Sequence, residues 1–163
     1  MNDAGPIAPL GPRDREALNA IIARHRNMRG ALLPLLHALQ EELGHIPDAA
    51  VPEIADALNL SRAEVHGVIT FYHDFRRTPA GRHVVKICRA EACQARGGAA
   101  IEAAAVERLG VAMGRTRADG AVTLEPVYCL GLCATGPNAM VDDMPLSRLD
   151  AASLDRITAK VGA

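Results

Sequence analysis

Four cysteines in two close pairs constrain this chain more than any other feature of its 163 residues. Cys88-Arg89-Ala90-Glu91-Ala92-Cys93 spaces the first pair as C-x4-C, and Cys129-Leu130-Gly131-Leu132-Cys133 spaces the second as C-x3-C. Both pairs begin where an apolar, β-branched run ends. Residues 83–87 (HVVKI) read as a short strand leading into Cys88, and residues 122–128 read as a strand delivering Cys129. If these strands are neighbours in one sheet, all four sulfurs converge at the same edge of it.

Four thiolates around a compact volume are what a [2Fe–2S] core requires, two for each iron. Zinc accepts four thiolates equally well, although structural zinc favours C-x2-C knuckles, which neither pair has. A dithiol redox site also expects C-x-x-C. Cysteines packed as inert hydrophobes, or joined as disulfides, remain open on spacing alone. A reducing compartment favours metal or redox chemistry over structural disulfides. The glycines near the cysteines (Gly97, Gly98, Gly131 and Gly136) permit close backbone approach to sulfur, and Leu130, Leu132 and Ala134 are placed to exclude water.

The rest of the chain falls into three stretches. Residues 1–13, with three prolines and two glycines, read as a flexible leader. Residues 14–79 read as a helical bundle. Leu18, Ile21 and Ile22, then Leu32, Leu33, Leu35, Leu36, Leu39 and Leu43, recur at spacings of three and four, with Pro34 in the first turn of the second helix. Asp48 is placed to cap a third helix holding Val51, Ile54, Ala55 and Leu58. Ser61-Arg62-Ala63-Glu64 is a capping box that opens a fourth. Residues 80–163 mix strand and helix: after the strand at 83–87 comes a helix from Gly97-Gly98 to Gly110, a polar turn at Asp119-Gly120, the strand at 122–128, a candidate strand at 138–141 and a closing helix over 150–161.

Composition excludes several classes of function. Eighteen basic against nineteen acidic residues leave a net charge of −1, and aromatics make up only 2% of the chain, so neither a nucleic-acid funnel nor a base-stacking platform is expected. No apolar run approaches the roughly 20 residues needed to span a bilayer, and the N-terminus lacks a signal-peptide pattern. A cytoplasmic protein without membrane insertion is expected, its core filled by aliphatic residues with Phe71, Tyr72, Phe75 and Tyr128 as the bulky rings.

With these residues in hand, the chain resembles the thioredoxin-like [2Fe–2S] subunit family of complex I, NAD-reducing hydrogenases and NAD-dependent formate dehydrogenases. The likeness spans nearly the whole chain. It is carried by Leu33-Pro34-Leu35-Leu36, Gln40-Glu41-Glu42-Leu43-Gly44-His45-Ile46-Pro47 and Ile69-Thr70-Phe71-Tyr72. In the second half Cys88-x4-Cys93 with Arg96-Gly97-Gly98, then Val122-Thr123-Leu124, Cys129-Leu130-Gly131-Leu132-Cys133 and Gly136-Pro137 continue it in the same order. Within the family, Phe71-Tyr72-His73-Asp74-Phe75-Arg76 and Val127 to Cys133 are most similar to the gamma-subunit branch of soluble NAD-dependent formate dehydrogenase. Arg89 departs from the small or hydroxyl residue usual after the first cysteine in complex I members.

The resemblance implies an α+β or α/β chain, an N-terminal helical bundle followed by a thioredoxin-like [2Fe–2S] ferredoxin domain. It implies one [2Fe–2S] cluster, with Cys88 and Cys93 on one iron and Cys129 and Cys133 on the other. It also implies partners: a flavin-bearing, NAD-binding subunit that carries FMN and NAD, and a larger catalytic subunit with its own metal cofactor. This chain has no nucleotide fingerprint of its own, and would be a non-catalytic electron-transfer subunit.

Two other patterns point elsewhere. Residues 54–65 have the spacing of a helix-turn-helix, which an iron–sulfur or zinc regulator of DNA would use. Yet Arg62 is the one fixed positive charge of the would-be recognition helix, and the chain is not basic. His37, His45, His66, His73 and His83 lack the paired spacing of a metal face and read as surface or core-edge residues, with His73 the one placed to meet a partner. Phe71, Tyr72 and Phe75 read as helix core, with an interface anchor as the alternative.

Overall fold

The computed structural model describes residues 9–162, so most of the expected leader lies outside the described residues. The chain divides into two compact units, one ending at Pro79 and the other beginning at Ala80.

The first unit contains α1 (Pro12–His25), α2 (Leu32–Leu43), α3 (Ala50–Leu58) and α4 (Arg62–Phe71). Its core is the aliphatic stripe expected from the three-and-four spacing: Leu18, Ile21, Leu35, Leu36, Leu39, Ile54, Val65 and Ile69 are buried together, with Ile46 and Phe75 from the connecting loops. The Ser61 capping box forms: Ser61 Oγ accepts the Glu64 N–H at 3.1 Å, and the Ser61 N–H donates to Glu64 Oε2 at 2.8 Å. Gln40 closes the bundle. Its amide donates to the Asp74 carbonyl at 2.8 Å and accepts the Arg76 N–H at 2.6 Å, so one α2 side chain satisfies the loop that leaves α4.

Two expectations fail. Asp48 does not cap α3, whose N-cap is Ala49; its carboxylate instead takes both the Nε and the Nη2 of Arg77, at 2.8 and 2.6 Å. That bidentate fork, a charge-assisted pair, outcompetes a cap. It also holds the Asp48 carboxyl below its ordinary pKa. Of the four rings expected in the interior, only Phe75 is buried; Phe71 and Tyr128 are about 70% exposed, and Tyr72 is exposed as well.

The second unit is a mixed five-stranded sheet in the order β2-β3-β1-β4-β5, with β1 His83–Cys88, β2 Arg115–Thr116, β3 Val122–Val127, β4 Ala139–Val141 and β5 Met144–Leu146. Helices α5 (Glu91–Gln94) and α6 (Gly98–Leu109) form the crossover that lets β1 and β3 run parallel, and α7 (Ala151–Lys160) follows the sheet. Val85, Ile87, Val122, Leu124, Ala139 and Val141 from the strands share one buried cluster with Ala105 and Leu109 of α6 and Leu154 and Ile157 of α7. Thr123, on the opposite face of β3, is buried at 5% exposure, and its Oγ1 accepts the Gly81 N–H at 2.7 Å at the entry to β1.

The short edge strands β2 and β5 and the single-turn α5 are not legible from periodicity, since two to four residues carry no period. Among the described residues no helix is long and apolar enough to cross a membrane.

Leu124 is fully buried on β3, beside the central strand β1. Leu124→Ala is expected to cost about 2–5 kcal/mol through lost transfer energy and the cavity left behind, and Ser61→Ala about 1 kcal/mol through the lost cap. Chemical denaturation of the two variants checks both values, and equal costs would contradict this placement of core and surface.

Candidate iron–sulfur site

The parallel register His83↔Val122 to Cys88↔Val127 brings the C-terminal ends of β1 and β3 side by side. Cys88 ends β1, and Cys129 stands two residues beyond β3, so both pairs start at the same end of the sheet. The first pair is completed by α5, whose Cys93 lies within hydrogen-bonding reach of Cys88. The second is completed by the short 3-10 turn Cys133–Thr135.

The two pairs differ in environment. Cys88 and Cys93 are buried, whereas Cys129 and Cys133 are exposed, and all four are free thiols. Leu130 and Leu132 are only half-buried and Ala134 is exposed, so the water exclusion expected of this loop is not achieved around the second pair. The loop bends tightly instead. Cys129 holds a left-handed backbone with φ of 117°, a conformation that costs a non-glycine residue on the order of 1–3 kcal/mol. Gly131 follows at φ 76°, which glycine adopts freely. Its N–H thereby donates to Cys129 Sγ at 3.3 Å.

Cys129 Sγ and Cys133 Sγ are 3.6 Å apart. A disulfide needs about 2.05 Å, whereas two thiolates sharing one tetrahedral metal through bonds of about 2.3 Å stand about 3.7 Å apart. The two thiols are therefore in contact without a bond between them. Among the described residues no three His, Cys, Asp or Glu side chains surround a single point, as the ligands of one ion would. The thiols are grouped two and two, Cys88 with Cys93 and Cys129 with Cys133.

Electrostatics follow the same division. Burial pushes the Cys93 thiol up, as does its Cys88 neighbour, while hydrogen bonds from Asn138 pull it down. The Gly131 N–H lowers Cys129. Cys133 is raised chiefly by its contact with Cys129, and the charge of Cys88, from the other pair, raises it further. In each pair one thiol is thus pushed toward its protonated form, Cys93 by burial and Cys133 by its neighbour Cys129.

The surrounding backbone is fitted to these sulfurs. A Cβ on Gly98 would come 2.8 Å from the Cys93 carbonyl oxygen, so glycine is required there, and one on Gly136 would come 3.2 Å from Cys93 Sγ, a tight contact that the sulfur would have to yield to. Arg96 Nη1 donates to the Ala134 carbonyl at 2.8 Å, bracing the loop of the second pair. Arg89 is ion-paired to Glu102 at 3.0 Å, so its charge beside Cys88 is compensated.

Asn138 is a site residue that the cysteine motifs do not announce. It is 1% exposed, and its Nδ2 donates to Cys93 Sγ at 3.4 Å and to the Leu132 carbonyl at 2.8 Å, while its Oδ1 has no partner. Periodicity marks it only as the start of a strand. A polar residue directly after Gly136-Pro137 and before the apolar Ala139-Met140-Val141 is the one signal of it in the sequence.

The histidines have partners of their own. His37 packs its ring against Phe75 with centroids 5.0 Å apart, His45 Nδ1 contacts the Leu43 carbonyl, and His83 Nδ1 meets Asp142 Oδ2 at 2.8 Å. His66 lies close enough to Asp48 for its charge to favour that carboxylate, and His73 is exposed after α4. The helix-turn-helix spacing does correspond to α3 and α4, joined through left-handed Asn59, but Glu64 at the start of α4 is engaged in its cap.

Residues 18–162 match the family described as thioredoxin-like [2Fe-2S] ferredoxin. The chain is 38% identical over 134 residues to a subunit of the NADH-quinone oxidoreductase of Escherichia coli K12, covering 82% of this chain and 81% of that protein. It is also 38% identical over 140 residues to the corresponding NADH-quinone oxidoreductase subunit of Salmonella typhimurium, covering 86% and 84%. A crystal structure of an NAD+-reducing [NiFe]-hydrogenase in the air-oxidized state superposes with a TM-score of 0.70 at 28% identity, covering 85% of this chain but only 24% of the hydrogenase chain. With two thiol pairs at adjacent strand ends and a family match over almost its whole length, the chain belongs to the thioredoxin-like [2Fe–2S] ferredoxin family, whose cofactor is one [2Fe–2S] cluster.

Proposed function

We propose that this chain is the one-electron relay subunit of an NADH-dehydrogenase-type complex, working beside a flavin- and NAD-binding subunit, with Cys88 and Cys93 on one iron and Cys129 and Cys133 on the other. The observation that carries the reading is the 3.6 Å separation of Cys129 and Cys133 at the end of β3, beside the strand that ends at Cys88. The cluster supplies reversible one-electron chemistry when bound. The protein's part is to hold, orient and expose it. Cys88 and Cys93 anchor from the buried side. Gly131 and Asn138 aim N–H groups at sulfur, and such donors favour the more negative state of a thiolate-ligated metal centre. Cys129, Cys133 and the 71%-exposed Tyr128 face outward, which supports electron exchange with a partner docked over the second pair.

The NADH-quinone oxidoreductase reading stands first because relatives at 38% identity carry that name. The formate dehydrogenase reading rests only on the wording of residues 71–76 and 127–133. Arg89, the departure that sets this chain apart from complex I members, has its charge paired by Glu102 and does not weigh against the first reading. Four free thiols support a location in the reducing cytoplasm.

Replacing any one of Cys88, Cys93, Cys129 or Cys133 by Ala is expected to lose or destabilise the cluster, whereas His37→Ala and His66→Ala leave iron and sulfide content unchanged. Four cysteine variants that all retained native iron and sulfide would sink the ligand assignment. The purified chain alone is expected to oxidise neither NADH nor formate with an artificial acceptor, and turnover of either would contradict a relay subunit.

A further inference from the structure

The helices of the second unit cover its sheet incompletely. Ala139 and Val141 of β4 lie in the buried cluster shared with α6 and α7, and the residues opposite them in the antiparallel ladder, Leu146 and Met144, stand on the same face. Yet Met144 is 64% exposed and Leu146 37%. The helical layer therefore stops at α7 and leaves the β5 end of that face open. Between α7 and β5 runs a trough of about 250 Å³, with Met144 and Leu146 on one side, Arg156 and Lys160 on the other, and the buried Leu149 and Ile157 at its base.

The edge beside this trough is closed to an added strand. The Cys88 N–H donates to the Asn138 carbonyl and the Asp142 N–H to the Val84 carbonyl, so alternate residues of β4 face β1, while Ala139 and Val141 between them face β5. Their partners Leu146 and Met144 are thus turned inward and Pro145 outward, where its nitrogen offers no N–H. The volume is also below that of sites which enclose small organic ligands, so the trough takes side chains from a surface laid across it. Charge narrows the choice further. Arg156 and Lys160 stand one turn apart along α7, and among the described residues no carboxylate lines the trough. Arg156 gives one N–H to Ser153 Oγ at 3.0 Å and Lys160 meets Asp142 Oδ2 at 3.3 Å, and each keeps further donors.

We propose that this trough seats an amphipathic helix of the partner that exchanges electrons with this chain, its apolar residues packed on Met144 and Leu146 and two carboxylates, one turn apart, facing Arg156 and Lys160. The inference rests on the relay reading above. Such a helix continues the layer of α6 and α7 over the bare end of the sheet and covers the exposed side chains with one apolar stripe. The trough is also tied to the second cysteine pair. Beyond β5 the Arg148 N–H donates to the Thr135 carbonyl at 2.8 Å and the Leu149 N–H to the Pro137 carbonyl at 2.9 Å, which fixes the end of the trough to the segment that leaves Cys133. A partner seated here is anchored to the same backbone that carries the exposed thiols.

The test uses the whole complex, purified through an affinity tag on this chain, with flavin, iron and sulfide measured per chain. With Met144 replaced by the photoreactive p-benzoylphenylalanine, irradiation is expected to cross-link one segment of the partner, whose sequence carries apolar residues at helical spacing and acidic residues three or four apart. Met144→Glu with Leu146→Glu, and Arg156→Glu with Lys160→Glu, are each expected to lower the flavin recovered per chain about tenfold while iron and sulfide stay native, whereas Arg156→Lys keeps the flavin. Cross-linking only to a second copy of this chain, to a segment without that pattern, or to nothing overturns the docking site while the relay reading stands, as does native flavin in either double variant. A native preparation that brings no flavin subunit with it overturns the relay reading itself. Should the double variants lose iron and sulfide, the identity of the cross-linked segment decides.

Discussion

The site depends on one pairing, the parallel hydrogen-bonded ladder between β1 and β3. Six residues of each strand are held in register from His83↔Val122 to Cys88↔Val127. A parallel pair requires a crossover, and the crossover here is itself functional: α5, its first turn, carries Cys93 back toward Cys88. Side-chain direction alternates along a strand, so a slip of one residue would turn Val85, Ile87, Val122 and Leu124 out of the core. The burial of those four residues therefore fixes where the cysteines stand. The aliphatic core sets the sulfur geometry, and the cysteines need only occupy the ends of strands already aligned.

The two pairs divide the work asymmetrically. The first is buried and backed by Gly98, at which a Cβ would collide with the Cys93 carbonyl, and by Gly136, which lies in close contact with the Cys93 sulfur. The second sits on a bent loop, with a strained Cys129 and an exposed Tyr128 beside it. Burial of charged thiolates is costly without donors, which is where the Asn138 amide enters. Exposure of the other pair costs less and leaves a short path outward. Strain at Cys129 is offset by the Gly131 N–H bond and by the turn that closes at Thr135, whose N–H donates to the Leu132 carbonyl.

Much of this fold is legible in the sequence, and the failures share a cause. The strands at β1 and β3, the capping box at Ser61, the stop at Gly110 and the cysteine pairing all rest on local patterns that can be read along the chain. Asp48 looks like a cap because Arg77, its true partner, is remote in sequence. Phe71 and Tyr72 look like core because helical spacing names a face without saying whether anything covers it; the core takes Phe75, three residues after Tyr72, instead. Asn138 is barely marked as a site residue because its partners Cys93 and Leu132 come from two different segments that only the fold brings together.

The most direct test of the cluster is metal and sulfide analysis of the anaerobically purified chain, with an EPR spectrum taken after dithionite reduction. Two irons, two acid-labile sulfides and a rhombic or axial signal from one unpaired electron per chain are expected. One zinc per chain with no sulfide would contradict the relay, leaving a structural metal domain in its place.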